Sequence, residues 1–215
     1  NPDTVFSSID TYGRYAYKNQ PQIARWNLSR LAEALLPILH DDEETAVKMA
    51  QDAVSEFDTL FNKNYYEGMR RKIGLFNDEH NDLPLIDRLL DLMYRYEADY
   101  THTFNALTEN KLEDIVLHGN SEFIDWYNMW QARLLKQQKT KEETKQLMRS
   151  ANPSIIPRNY LVEHALKEAQ SNENYSVMKK LLNALSNPYS DNNEYEEYKK
   201  LPPTAACPYK TFCGT

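Results

Sequence analysis

From Ile23 to Leu185 the apolar side chains of this chain return every three or four residues, and nowhere do they alternate long enough to build a strand. That pattern leaves one class of structure: helices that each hide an apolar face against a neighbour. Ile23, Trp26, Leu28, Leu31, Leu35, Leu36 and Leu39 form one such face. Phe123, Ile124, Trp126, Tyr127, Trp130, Leu134 and Leu135 form another. About eight helices are predicted, with neither an internal repeat nor a heptad seam, so the fold class is all-α, a compact multi-helix array and not a coiled coil. A length of 215 residues suits one domain or one large lobe of something bigger. A chain of this size buries roughly 70% of its unfolded surface without staples. The expected organisation is a single helical region over 1–215. It has an irregular lead-in (1–19), a helical core (20–186) and an acidic, then Pro-rich tail (187–215) ending near a Cys.

Helix ends follow from local chemistry. Asn19 is a predicted cap and Pro21 fits a first turn. Pro37 should kink or end the first helix near Leu36. The acids Asp41-Asp42-Glu43-Glu44 suit the positive end of the next helix better than they suit a cation. Asn62 and Asn64 are expected to interrupt that helix. Gly74 should close a shorter one as a left-handed C′ residue. The run Asn77-Asp78-Glu79-His80-Asn81-Asp82 alternates like a metal loop but lacks its Gly and distal Glu, so a capping connection before Leu83–Tyr96 is predicted. Tyr100 and Phe104 should face inward on a helix from Ala98 to Leu107. Asn120 or Ser121 should cap the aromatic helix. Asn152-Pro153 and Asn187-Pro188 should end the helices before them.

Charge narrows the partners. The net charge of −7 argues against nucleic acid, which needs clustered Lys and Arg, and against a polybasic membrane contact. No apolar run approaches the ~20 residues of a membrane span. The first residues carry no Met, no secretory pattern and no first strand, as expected of a segment from a longer protein. The five Gly stand apart, so no phosphate-cradling loop is formed, and the common catalytic signatures are missing.

Few residues remain for chemistry. His102 and His118 lie among apolar residues and are expected to be hydrogen-bonded or partly buried. Cys207 and Cys213 are the two Cys, consistent with a reducing compartment. Either they are inert or Cys213, near the chain end with Lys210 close by, serves as a redox thiol. Tyr12, Arg14, Tyr15, Tyr17, Lys18 and Arg25 form a cationic-aromatic patch. It suits a phosphate or another lobe, and equally suits carboxylates and carbonyls inside the fold.

Several motifs in order resemble one family. They are Gly13-Arg14-Tyr15-Ala16-Tyr17 with Asn19-Gln20-Pro21, then Trp26-Asn27-Leu28 and Arg30-Leu31-Ala32. Next come Phe123, Trp126-Tyr127, Trp130 and Arg133-Leu134, followed by Asn152-Pro153 with Arg158-Asn159-Tyr160. Asn187-Pro188-Tyr189, Glu194-Tyr195, Tyr198, Leu201-Pro202-Pro203 and Cys213 complete the series. Together they resemble the selenoprotein O family from just after its metal-binding Asp to its end. The resemblance implies a protein-kinase-like (pseudokinase) fold that moves AMP from ATP to Ser, Thr or Tyr hydroxyls of proteins with Mg²⁺ or Mn²⁺. It also implies that the nucleotide loop, catalytic Asp-Asn pair and metal Asp precede this segment, so no catalytic, cofactor or metal residue is carried over. The implied partners are the N-terminal catalytic lobe, packed through Arg14, Asn19, Gln20 and Arg25, and protein acceptors. Cys213 stands where some eukaryotic members carry selenocysteine. Phe6 stands where some bacterial relatives carry a Cys, so that route to a tail disulfide is closed. The implied location is the cytoplasm, or the mitochondrion for a eukaryotic source. A rival reading is a helical scaffold with no enzymatic parent.

Overall fold

The computed structural model describes residues 1–190 and 193–202, and every regular element among them is helical. The α-helices are α1 (Gln20–Leu39), α2 (Glu43–Ser55), α3 (Phe57–Lys72), α4 (Asp82–Arg95) and α5 (Tyr100–Glu109). They continue with α6 (Ser121–Lys136), α7 (Lys141–Ala151), α8 (Asn159–Asn172), α9 (Ser176–Leu185) and the short α10 (Glu196–Lys199). Two compact units emerge, one from Asn1 to Glu67 and one beginning at Gly68, with the boundary inside α3.

In the first unit the lead-in folds on itself. The Tyr17 and Lys18 amides donate to the Thr4 and Pro2 carbonyls at 2.9 Å each. Pro21 sits in the first turn of α1, as predicted, but Asn19 at the N-cap position makes no capping bond with its side chain. Nor does Pro37 stop α1 at Leu36. The helix completes its last turn to Leu39 and ends where His40 turns extended, because a proline this near the end forfeits one ladder bond only. Asp42 caps α2 by accepting from the Thr45 amide at 2.9 Å, with Glu43 and Glu44 in the first turn. The break before α3 falls at Glu56 and not at Asn62 or Asn64, which lie inside α3. The Asn64 amide instead donates to the Leu60 carbonyl one turn back. α1 packs on α2, yet Ala16 and Ala46 are the only fully buried apolar side chains described in this unit.

The second unit holds the core. Gly74 ends α3 with φ +77°, the Leu75 amide reaching the Arg70 carbonyl and the Gly74 amide the Arg71 carbonyl. A Cβ there would also meet Thr144 at 2.5 Å, so glycine is required twice over. α4 packs on α6, α5 on α7 and α8 on α9. Phe123, Trp126 and Trp130 stack down the buried face of α6, successive rings 5.5 Å apart. Each indole needs a partner for its N–H, and finds one in the Leu85 carbonyl for Trp126 and the Ile73 carbonyl for Trp130, both at 2.8 Å. Asn120 caps this helix. Phe104 is buried as expected, whereas Tyr100 is 39% exposed, its hydroxyl resting 3.6 Å from the Met69 sulfur. Ile155, Ala165, Leu181, Ala184 and Tyr198 form a further cluster at the C-terminal side.

Candidate functional site

Three places concentrate polar side chains. The first is the start of the first unit. Asp10 accepts from the Arg14 amide (2.9 Å) and the Tyr15 amide (2.8 Å), which tightens the turn that Gly13 enters with φ +65°. Asn19 donates to the Gly13 carbonyl (2.8 Å) and Gln20 to the Tyr15 carbonyl (2.6 Å), so both side chains lash the turn to α1. The Arg14 guanidinium lies 4.7 Å from the Trp26 ring centre, and Arg30 lies 5.5 Å from the same ring. Arg25 pairs with Asp58 at 2.8 Å on an exposed face. Of the four residues named from the sequence, Asn19 and Gln20 hold the turn before α1 and Arg14 packs on Trp26, whereas Arg25 turns to Asp58 of α3.

The second place is buried. Asp82, fully shielded at the start of α4, accepts from the Glu79 amide at 2.8 Å, from Arg70 Nε at 3.2 Å and from Arg133 Nε at 2.7 Å. Arg133 also donates to the Asn77 carbonyl at 2.9 Å. Its second terminal nitrogen is buried without a hydrogen bond, although Glu79 sits 3.4 Å away as a poorly aligned ion pair. The Asn77–Asp82 run is thus a connection anchored by arginines. Asn81 makes no side-chain cap, which corrects the capping role expected of this loop.

The third is a polar cavity of about 350 Å³ in the second unit, lined by His102, Lys111, Arg149, Arg158, Tyr189 and Lys200 among others. Asp99 caps α5 and holds Arg158 through two bonds of 2.8 and 3.0 Å. Burial pushes the Asp99 carboxyl up, but the Arg158 pair and the His102 amide together outweigh it and leave it below its ordinary value. Glu109 behaves alike: burial raises it, while Arg149 and Lys145 bring it down on balance. His102 is half-buried, its Nε2 donating to the Asp114 carbonyl at 3.0 Å, as expected. His118 is exposed in a turn, contrary to expectation, because its neighbours Ile115 and Leu117 take the buried positions. On the inner side, Asn152 donates to the Lys72 carbonyl (2.8 Å) and Thr108 hydroxyl (3.2 Å) and accepts from Lys72 Nζ (3.2 Å). Burial lowers the Lys72 ammonium. With Arg149 held by Glu109 and Arg158 by Asp99, this cavity is a polar scaffold. The Ser154 hydroxyl there is taken up by the Pro188 and Ser190 carbonyls at 3.0 and 2.9 Å and has no base beside it among the described residues.

Among the described residues no three His, Cys, Asp or Glu side chains are grouped to hold a metal, and no helix is long and apolar enough to cross a membrane. No such cluster among the described residues stands ready for the Mg²⁺ or Mn²⁺ that the resemblance implies. Cys207 and Cys213 lie outside the described residues.

Asp82 and Arg133 were not singled out as a pair from the sequence. The available signal was Arg133 standing on the apolar face of α6, seven residues after Trp126 and three after Trp130.

A family model described as "Protein adenylyltransferase SelO" matches residues 1–186. A protein nucleotidyltransferase YdiU of Clostridium botulinum (strain Hall) is 55% identical over all 215 residues. Proteins of the same name from Bacillus cereus (strain G9842) and Bacillus thuringiensis subsp. konkukian are 53% identical over 215 residues and 54% over 212. The chain spans 44% of the length of the Clostridium relative and 43% of the Bacillus thuringiensis one.

Proposed function

This chain belongs to the SelO protein adenylyltransferase family, and from that membership we propose that it forms the C-terminal helical part of a longer protein that transfers AMP from ATP to Ser, Thr or Tyr hydroxyls of proteins. In that reaction a hydroxyl oxygen bonds to the α-phosphorus, the bond to the β-phosphate oxygen breaks, pyrophosphate leaves and the hydroxyl proton goes to a base. The observation that carries the reading is the family match over residues 1–186, in a chain spanning 44% of its relative's length.

In this reading the kinase-like catalytic part, with ATP and Mg²⁺ or Mn²⁺, lies in the portion of the longer protein that this chain does not span. The present residues act as support. Arg14, Asn19, Gln20 and Arg25 brace the start of α1 against that part, which is favoured by the contacts of the first three around Gly13, Tyr15 and Trp26 and by the pairing of Arg25 with Asp58. The protein works in the cytoplasm. Cys213 serves as a redox handle with Cys207 or another thiol, checked by replacing Cys213 with Ser in the full-length protein. An identical response of both proteins to oxidant ends that part of the reading.

The main test is AMP labelling of a protein acceptor with ATP and Mn²⁺. The full-length Clostridium relative should label it and this chain alone should not. Labelling by the chain alone, or none by the full-length relative, overturns the proposal.

A further inference from the structure

α1 is twenty residues long and carries Ile23, Trp26, Leu28, Leu31, Leu35, Leu36, Ile38 and Leu39, yet not one of its residues is buried. Trp26 is 47% exposed, Leu31 53% and Ile38 80%. These side chains do not share one face, which corrects the single face read from the sequence. At 3.6 residues per turn, Leu31 and Leu35 lie roughly 140° and 180° around the helix from Trp26. Ala32 and Leu36 occupy a third side, lining a groove of about 520 Å³ with Val47, Ala50 and Val54 of α2. The apolar residues from Ile23 round to Leu36 span roughly 220° of the helix surface, with Gln22, Ser29, Arg30 and Glu33 flanking Trp26 on the remainder, and that is wider than the stripe one neighbour such as α2 covers. No described helix qualifies as a membrane span, and α1 itself carries Arg25, Arg30 and Glu33.

We infer that α1 is an interior helix of the longer protein, covered on its Trp26 side, on its Leu28–Leu31–Leu35–Ile38 stripe and along the α1–α2 groove by the portion of the chain found in the relatives and not spanned here. This rests on the proposed function for the existence of that portion. Its length supports the assignment, since more than half of each relative lies outside the match. So does geometry: a second copy joined by a two-fold axis presents one patch and covers one side of a helix, leaving the others in water. The two guanidiniums over Trp26 fit the same account. Cation–π attraction strengthens when the pair is taken out of water, so covering the ring strengthens both contacts.

Hydrogen–deuterium exchange of the α1 amides, in this chain and in the full-length Clostridium relative, decides the matter without nucleotide or turnover. Covered amides open only with the surrounding structure, so α1 should exchange at least about a hundredfold more slowly in the full-length relative. Equal exchange in the two proteins overturns the inference even if the relative transfers AMP. Slow exchange in this chain that speeds up on dilution overturns it too, because a second copy is then the cover. Slow exchange in the full-length relative with no AMP transfer keeps the inference and removes the activity.

Discussion

Asp82 brings a carboxylate to a position with no solvent contact, where Arg70 and Arg133 enclose it. Taking one partner from a buried pair leaves the other charge desolvated and unmatched, which costs about 3–5 kcal/mol. Asp82→Ala should therefore lower the unfolding free energy by about that much, read from urea titration. A loss under about 1 kcal/mol, typical of a surface pair, would contradict the burial of this node. Nothing local in Asn77–Asp82 says which acid turns inward, because the partners are 12 and 51 residues away. The loop reads as polar and capping from its neighbours alone. Gly74, by contrast, was readable because the conformation that demands a glycine is set by its own helix end.

Among helix ends, the start of α7 is the most fully built. Thr140 accepts from the Glu143 amide at 3.1 Å while the Glu143 carboxylate accepts from the Thr140 amide at 2.9 Å. Lys139 first, and then the Thr140 amide and hydroxyl, hold the Glu143 carboxyl down to about 2 from its ordinary 4.5. A depressed carboxyl stabilises the fold above its unfolded value, and that contribution disappears as pH falls from about 4.5 toward 2. Thr140→Ala should cost about 1 kcal/mol at neutral pH. It should also let the Glu143 carboxyl rise part of the way back, followed by the NMR shift of its carboxyl carbon across an acid titration. A value still at about 2 in the variant would assign the depression to Lys139 and the backbone amide of residue 140, with nothing left for the hydroxyl. The far end of this helix, at Ala151, falls where Asn152-Pro153 is expected to end it. The α2–α3 break has no such signal, since no glycine or proline marks Glu56. The interruption accompanies a Ser55 hydroxyl that bonds the Asp52 carbonyl at 2.7 Å, a competition side-chain identity only hints at.

For the molecule as a whole, the two units differ in what they bury. The second hides Trp126, Leu89, Leu92, Ile86, Phe104 and Leu117 almost completely, whereas the first hides two alanines. Helical periodicity showed that every helix has an apolar face, but not which faces find cover within these residues, since that depends on what else packs there. Burial of apolar area supplies most of the stability, at roughly 25 cal/mol per Å², so the first unit should melt first. The three Trp residues report this separately, Trp26 in the first unit and Trp126 and Trp130 in the second. In Trp126→Phe or Trp130→Phe variants the buried indole bonds to Leu85 or Ile73 would be lost, so the better probe is Trp26→Phe, which removes a half-exposed ring. Subtracting its urea-dependent fluorescence from that of the unmodified chain isolates Trp26. That difference should change at lower urea than the signal of the remaining pair, and acrylamide should quench it more strongly. A single shared midpoint would mean that the sparse first unit borrows its stability from the second, and cooperative two-state unfolding would then describe the entire chain.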